Sequence, residues 1–272
     1  MVLISLAIHE SESSFLSLIN NLKYFTKNAI IIIHVSKSFK LKGDYSKIED
    51  LYFNEVSLET GYLDGSLFLC HLSNIKFAKS KKLDYEFFVP FGSNQMLIKS
   101  GLEDFIKNQQ VRRPVRLNFR TRVGMLVNFN FIFKNILRSY GLYSLYKHAP
   151  EGTYWPKYMI DRHFKMLESI GCTLEKYCGF DRPNGYWSNI KYTLTGKINF
   201  PAEEIIFPTL FYNLEKGNFE GEDYCYKNWK DDLKISLALV KRLQCQNGFF
   251  SVKRVHRNMN KVRLYLDGFI RN

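Results

Sequence analysis

Two short, almost wholly apolar segments near the start of the chain limit its possible folds more than any other feature. LISLAI at residues 3–8 and IIIIHV at residues 30–35 have the length and the branched side chains of buried β-strands. Between them, SESSFLSLINNLKYF places apolar residues at helical spacing after Ser11 or Ser13, either of which can cap a helix. Because such crossovers are right-handed, the pattern predicts two parallel strands joined by a helix.

The same alternation continues downstream and predicts an α/β fold. SLFLCHLSNIKFAKS at residues 66–80 predicts a second amphipathic helix, and YEFFVPF predicts a third strand that ends at Pro90. We therefore expect a mostly parallel central sheet flanked by helices. Ligands of such sheets bind beyond the carboxyl ends of the strands, so residues 9–10, 34–36 and 92–94 should meet in one crevice.

Length and composition indicate one compact domain over residues 1–272. The chain is 46% hydrophobic, which is enough for one large core. MVLISLAIHE lacks the basic region and the cleavage site of a signal peptide, and no apolar run has the length of a membrane span. The five cysteines include no CxxC pair, which argues against disulfides and structural zinc. These features predict a cytoplasmic protein with reduced thiols.

The strongly basic charge predicts attraction to polyanions. The formal net charge is +13, and basic clusters occur at residues 79–82, 111–122 and 251–263. Nucleic acid, anionic membrane and a phosphorylated small molecule are all candidate partners on charge alone. The aromatic residues lie mainly in apolar periodic segments and no RNA- or DNA-binding signature is present, so we expect no nucleic-acid partner.

Several common enzyme motifs are missing from the sequence. No GxGxxG turn follows the first strand, and no GxxxxGK[ST] loop, GxSxG elbow or HExxH helix occurs anywhere. These absences argue against classical dinucleotide enzymes, P-loop NTPases, α/β-hydrolases and zinc proteases. Enzymes that bind nucleotides through scattered contacts remain.

Six blocks, taken in chain order, resemble one family. They are HESESSFLSLINNL with IIHVS, TGYLDGSL, FVPFGSNQMLIKS, EGTYWPKYMIDRHF, PAEEIIFPT and FSVKRV. The family is that of the core-2/I-branching N-acetylglucosaminyltransferases, the peptide O-xylosyltransferases and their microbial relatives. The resemblance implies a GT-A fold, with a nucleotide-binding half over about residues 1–110 and an acceptor-binding, catalytic half over about residues 111–272.

The chain also departs from the family pattern near the nucleotide. The aspartate that ends the family's IHVD block is Ser36, and the aspartate after the third strand is replaced by Asn94 or Gln95. The tryptophan of the family's WG pair is Thr60. We therefore expect a divergent microbial or viral member. Topology alone predicts nucleoside contacts at His9 and His34, where a histidine is more often structural, and the resemblance adds Ser36 and Gly61.

The resemblance also implies a catalytic base. An inverting transferase needs a carboxylate that deprotonates the acceptor hydroxyl. Aligning Thr209 with the threonine of the family's SPDExxxxT block makes Glu204 the base. Glu203 is then the alternative base or part of the cap of the following helix. Acidic residues in a first helical turn are also common for structural reasons alone.

The departing diphosphate is expected to meet lysine and arginine rather than a metal. No DxD triplet occurs in the sequence, and the family is metal-independent, so we expect neither a metal nor another cofactor. Lys253 matches the family's phosphate-binding lysine. Its neighbour Arg254 is the second candidate for contact with the diphosphate. A surface lysine in a basic segment is the competing interpretation.

The acceptor is expected to lie near EGTYW. Tyr154 and Trp155 could stack on a sugar ring, or they could pack in the core. Arg162 matches a family arginine and could contact an acceptor, or it could pair with Asp161 or Glu168 on a helix.

The resulting hypothesis is transfer of xylose or N-acetylglucosamine from a UDP-sugar to a hydroxyl of a glycan. A nucleic-acid-binding protein and an inactive transferase-like scaffold are the alternatives. The basic surface could in addition contact anionic membrane.

Overall fold

The computed structural model describes the chain except residues 10, 62, 179–185, 216–218, 228–234, 257–259 and 272, and describes only the backbone at 186–187 and 269–271. The strands are β1 (Val2–Ile8), β2 (Ala29–Val35), β3 (Leu51–Phe53), β4 (Phe87–Phe91), β5 (Gln95–Leu97), β6 (Val115–Arg116), β7 (Tyr146–Lys147), β8 (Trp155–Pro156), β9 (Cys225–Tyr226) and β10 (Ser251–Lys253). The helices are α1 (Glu12–Phe25), α2 (Ser66–Ser80), α3 (Leu102–Asn108), α4 (Arg122–Phe129), α5 (Phe131–Ser139), α6 (Lys157–Glu175), α7 (Tyr186–Leu194), α8 (Glu203–Leu214), α9 (Leu237–Gln244) and α10 (Lys261–Arg271).

A mixed sheet of five strands forms the centre of the α/β fold. Its order is β3-β2-β1-β4-β8, in which β1 to β4 run parallel and β8 runs antiparallel to β4. Strand β2 pairs with β1 on one side, and β4 pairs with β1 on the other side. The carboxyl ends of β1 and β4 therefore flank the point where the strand order reverses, which is the usual ligand position in open α/β sheets.

The predicted opening of the fold is confirmed. Ser11 caps α1, and its hydroxyl accepts a bond from the Ser14 amide at 3.4 Å. Leu18 and Leu22 of this helix belong to the apolar core and are almost fully buried. Strands β1 and β2 are buried along nearly their whole length, as their unbroken apolar sequences predict.

The third predicted strand is present but begins and ends later in the chain than expected, since β4 starts at Phe87 and not at Tyr85. We expected it to end at Pro90, but β4 continues through Pro90, which pairs with Ser5 of β1, to Phe91. Strand β8 covers only Phe87 and Phe88 on the other side. At Pro90, β4 is therefore a sheet edge, where a missing N–H group is tolerated.

Two smaller sheets attach the second part of the chain to the central one. Strand β10 pairs antiparallel with β5 and parallel with β9, and this places Lys253 opposite Gln95. Strands β6 and β7 pair antiparallel, and β7 packs against α8. One connected apolar core includes residues from Val2 to Leu266. Within the described ranges, no helix combines the length and apolar character needed to cross a bilayer.

Candidate active site

Residues 9, 34–36 and 92–94 lie at the carboxyl ends of the central strands, whereas residue 10 of the expected site lies outside the described residues. His9 follows β1 and is exposed, Ser36 follows β2, and Gly92 follows β4. These residues come from strands that lie side by side in the sheet, so their proximity is a consequence of the fold.

His34 and Ser36 hold the loop that follows β3. The Leu58 amide donates to His34 Nε2 at 3.0 Å, and the Thr60 amide donates to Ser36 Oγ at 3.2 Å. Both side chains are fully buried, and burial lowers the pKa of His34. The imidazole is therefore neutral near pH 7, and the two residues fix the position of the loop.

Gly61 lies in this loop, next to a buried carboxylate. Its amide donates to Ser66 Oγ at 2.9 Å, and Ser66 donates in turn to Asp64 Oδ1 at 2.6 Å. A Cβ atom at Gly61 would overlap the Asp64 carboxylate. The structure thus brings Ser36 close to the loop at Gly61, where a side chain would overlap the Asp64 carboxylate.

Glu203 and Glu204 begin α8, and their environments differ. The N-cap position is Ala202, so Glu203 is the first helical residue and not the cap. Glu203 is buried, whereas Glu204 is partly exposed. Burial, and next the charge of Glu204, raise the pKa of Glu203 to about 8. Burial, and next the charge of Glu151, raise the pKa of Glu204 to about 7.

Lys253 forms a nearly buried ion pair with Glu151. The side chains are 14% and 9% exposed, and the Lys253 ammonium donates to Glu151 Oε1. Burial raises the pKa of Glu151, but Lys253 and Lys227 outweigh it, so the pKa lies below its usual value. A Cβ atom on Gly92 would come within 2.5 Å of Lys253 Nζ. The pair therefore lies directly on the end of β4.

Further charged groups extend the pair into a cluster. Lys227 donates to the Glu151 carbonyl at 2.7 Å and lies 3.0 Å from Asp223, which also pairs with Arg112. The charges of Lys147, Lys253 and Lys227 all lower the pKa of Glu204, so these ammonium groups lie near its carboxyl. We call Glu204, Glu151, Lys147, Lys227 and Lys253 the charged cluster.

Backbone geometry singles out Arg254 beside this cluster. Its φ is 72°, in the left-handed region that side-chain-bearing residues rarely adopt. The next residue, Val255, donates its amide to the Asn94 carbonyl at 3.0 Å. The strained residue thus lies where β10 leaves the end of the β4–β5 turn, and strain of this kind is often found at binding sites.

The two aromatic residues expected at the acceptor are in the core. Tyr154 is 1% exposed, and its hydroxyl donates to the Gln110 carbonyl at 2.6 Å. Trp155 is 2% exposed and packs on Phe211, with ring centroids 4.8 Å apart. Neither ring has a face open to a ligand, so the structure supports the core-packing interpretation for both.

Arg162 lies at the opposite edge of the sheet. Helix α6 starts where the Lys157 amide donates to the carbonyl of Glu86, just before β4 begins. Arg162 pairs with Glu215 at 2.8 Å, and not with Asp161 or Glu168. Glu215 follows the end of α8, roughly 16 Å along the helix axis from Glu204. The structure does not bring Arg162 to the carboxyl ends of the central strands, where the charged cluster lies.

Glu151, Lys147 and Lys227 are the cluster residues that sequence reasoning missed. Glu151 was visible only as the charged first residue of EGTYW, and Lys227 as one of several unplaced lysines upstream of Lys253. Of those lysines, Lys230 and Lys234 lie outside the described residues. The proximity of Glu151, Lys147 and Lys227 depends on contacts between residues distant in sequence, and a local sequence pattern does not contain such contacts.

No group of three or more His, Cys, Asp or Glu side chains is placed to share a metal ion in the described part of the chain. Comparison with models of protein families finds no matching family, and comparison with curated proteins finds no matching relative.

Proposed function

We propose that the chain is an inverting, metal-independent glycosyltransferase of GT-A type that uses a UDP-sugar donor. The observation that carries the proposal is Glu204, a partly exposed carboxyl at the start of α8 with three lysines close by and a pKa raised to about 7. A general base works best when its pKa is near the working pH. The resemblance to the branching and xylosyltransferase family assigns the base to the same residue.

In the proposed reaction, Glu204 takes the proton of an acceptor hydroxyl. The hydroxyl oxygen then bonds to the anomeric carbon of the donor, while the bond from that carbon to the β-phosphate oxygen breaks. Glu204 ends protonated, and UDP leaves as the anion. Glu203, with its pKa of about 8, holds its own proton near neutral pH and does not compete for this one.

The charged cluster supplies the groups that can stabilise the leaving diphosphate. Negative charge develops on the β-phosphate oxygen in the transition state, and preorganised ammonium groups stabilise it. Lys253 and Lys227 already lie together around Glu151. Xylose and N-acetylglucosamine are the sugars that the family resemblance suggests for the donor, with a glycan hydroxyl as acceptor.

A panel of nucleotide sugars tests the proposal. Binding is measured by ligand-observed NMR, and slow donor hydrolysis by release of UDP, each with and without EDTA. We expect at least one UDP-sugar to bind and to be hydrolysed, with no effect of EDTA. Lys253→Ala should weaken donor binding by about tenfold or more, since it removes a charge-assisted contact to phosphate.

The matched control is Lys241→Ala, which removes a lysine on α9 that lies over the Tyr265 ring. It should bind donor as the unchanged protein does. Absence of binding for every UDP-sugar would refute the transferase proposal. Loss of hydrolysis in EDTA would refute the metal-independent mechanism alone.

A further inference from the structure

One stretch of the chain holds a disproportionate share of the positive charge. Residues 111–150 contain eight of the 39 lysines and arginines and none of the 26 aspartates and glutamates. The stretch includes β6, α4, α5 and β7, and it lies beside the charged cluster because Val115 of β6 pairs with Lys147 of β7. No carboxylate within the stretch neutralises this positive charge, although Asp223 from outside the stretch pairs with Arg112.

The same stretch exposes large apolar side chains. It contributes five of the eleven large hydrophobic residues that are exposed in the described part of the chain. They are Val115 (60% exposed), Phe119 (64%), Phe129 (38%), Phe131 (58%) and Tyr143 (74%). Such side chains lie in water at a cost, and a concentration of them marks an interaction surface.

A small cavity lies within this stretch and is lined by cations. Its volume is about 150 Å³, and its lining includes Arg116, Lys134, Arg138 and Tyr143. None of the three cations forms an ion pair with a carboxylate among the described residues. Burial, and next the positive charge of Arg138, lower the pKa of Lys134, so the two cations repel each other at the cavity. An anionic group in the cavity would relieve that repulsion.

We propose that this stretch docks on an anionic phospholipid membrane, with a lipid phosphate in the cavity and the exposed apolar side chains in the headgroup region. We call it the basic aromatic surface, and it comprises Val115, Arg116, Phe119, Phe129, Phe131, Lys134, Arg138 and Tyr143. Membrane surfaces bind basic residues by charge and exposed aromatic residues by partial insertion.

The arrangement favours a bilayer over single-stranded nucleic acid. Nucleic acid would need open aromatic faces on which bases stack. Lys134 Nζ lies 4.8 Å from the centre of the Phe131 ring, and Arg120 lies 5.9 Å from that of Phe119, so each ring already has a cation over one face. Val115 offers no π-face at all. Ring edges and aliphatic groups flanked by cations suit insertion among lipid headgroups.

Co-sedimentation with lipid vesicles tests the proposal on the full chain. Vesicles of phosphatidylcholine alone are compared with vesicles that contain one-third phosphatidylglycerol, and free phosphate and oligouridylate serve as competing ligands. The test variant replaces Arg116, Lys134 and Arg138 by glutamine. The control variant replaces the exposed lysines 40, 42 and 47 by glutamine and so has the same net charge.

The unchanged protein and the control variant should bind the anionic vesicles and not the neutral ones. The test variant should lose about 100-fold in affinity, since each basic residue at the membrane contributes about fivefold. Equal losses in the two variants would overturn the proposal, because net charge alone would then explain binding. Tight binding of oligouridylate that abolishes vesicle binding, or an equal effect of free phosphate at millimolar concentration, would overturn it too.

Insertion of the apolar groups is tested by a second measurement that does not depend on affinity. Phe131→Trp places a fluorophore on the proposed surface, and Tyr158→Trp places one on α6, where Tyr158 is 55% exposed. Vesicles that contain brominated lipid should quench the first tryptophan and not the second. Quenching of neither or of both tryptophans would contradict the proposed orientation. Thermal unfolding of each variant checks that the fold is retained.

Discussion

Two carboxyl groups of the charged cluster, the buried Glu151 and the partly exposed Glu204, ionise differently. Glu151 is held by the Lys253 ammonium and by the field of Lys227, and its pKa lies below the usual value. Among the described residues Glu204 has no ion-pair partner, and its pKa rises to about 7 because burial and Glu151 oppose its charge. A carboxyl group whose pKa is lowered and one that titrates near neutral pH therefore belong to the same charged cluster. Such divergence is typical of sites where one group fixes charge and another transfers protons.

Replacing Glu204 should have the largest effect, because it removes the carboxyl group that titrates near neutral pH. We expect Glu204→Gln to lower the transfer rate by about 100-fold to 10,000-fold, since a general base contributes on that order. Donor binding, measured by NMR, should not change. Glu203→Gln is the matched control and should retain transfer within about tenfold. A larger loss in the control would move the base to Glu203.

Removing the ammonium should show how strongly Glu151 depends on it. Lys253→Met should lower the free energy of unfolding by about 3 kcal/mol at pH 7, because it leaves a nearly buried carboxylate unpaired. Addition of Glu151→Gln should restore much of that loss, as denaturant unfolding can measure. The exposed pair of Lys81 and Glu55 is the control, and Lys81→Met should cost less than about 1 kcal/mol. If the two variants lost the same free energy of unfolding, burial of the ion pair would make no difference to its contribution to stability.

The pH dependence of the free energy of unfolding tests the raised pKa values. Glu203 has a pKa of about 8 in the folded protein against 4.5 as the reference value. Between these values the unfolded chain releases the proton and the folded one retains it, so the free energy of unfolding should fall as pH rises from 4.5 to 8.

Glu203→Gln should remove a part of that fall on the order of 3 kcal/mol. Urea unfolding at several pH values measures it, with the exposed Glu55→Gln as control. An unchanged slope in the Glu203 variant would show that its proton is not retained on folding.

The first part of the fold could be predicted because its evidence is local. Strands β1 and β2 are unbroken apolar runs, and helices α1 and α2 are long segments with apolar residues at helical spacing, so each can be recognised from the sequence. Strand β8 has only two residues, and its antiparallel pairing with β4 is set by the path of the chain. A sequence pattern that short does not distinguish a strand from a turn.

The candidate site could be predicted only in part, for a related reason. Lys253 and the two glutamates of α8 came from blocks that resemble a family. Glu151 contacts Lys253 across 102 residues of sequence, and no block records that contact. The aromatic pair Tyr154 and Trp155 shows the converse, because a motif gave their position but not their burial, which depends on packing against α8 and the loop at Gln110.

Gly92 has a consequence for inheritance. A side chain at this position would meet Lys253 Nζ within 2.5 Å and Glu151 Oε1 at 3.1 Å, so the ion pair and any larger residue exclude each other. In sequences descended from a common ancestor with this chain, glycine at this position and an acid at the position of Glu151 should be kept or lost together. A lineage that has replaced the glycine must have found another way to hold its lysine.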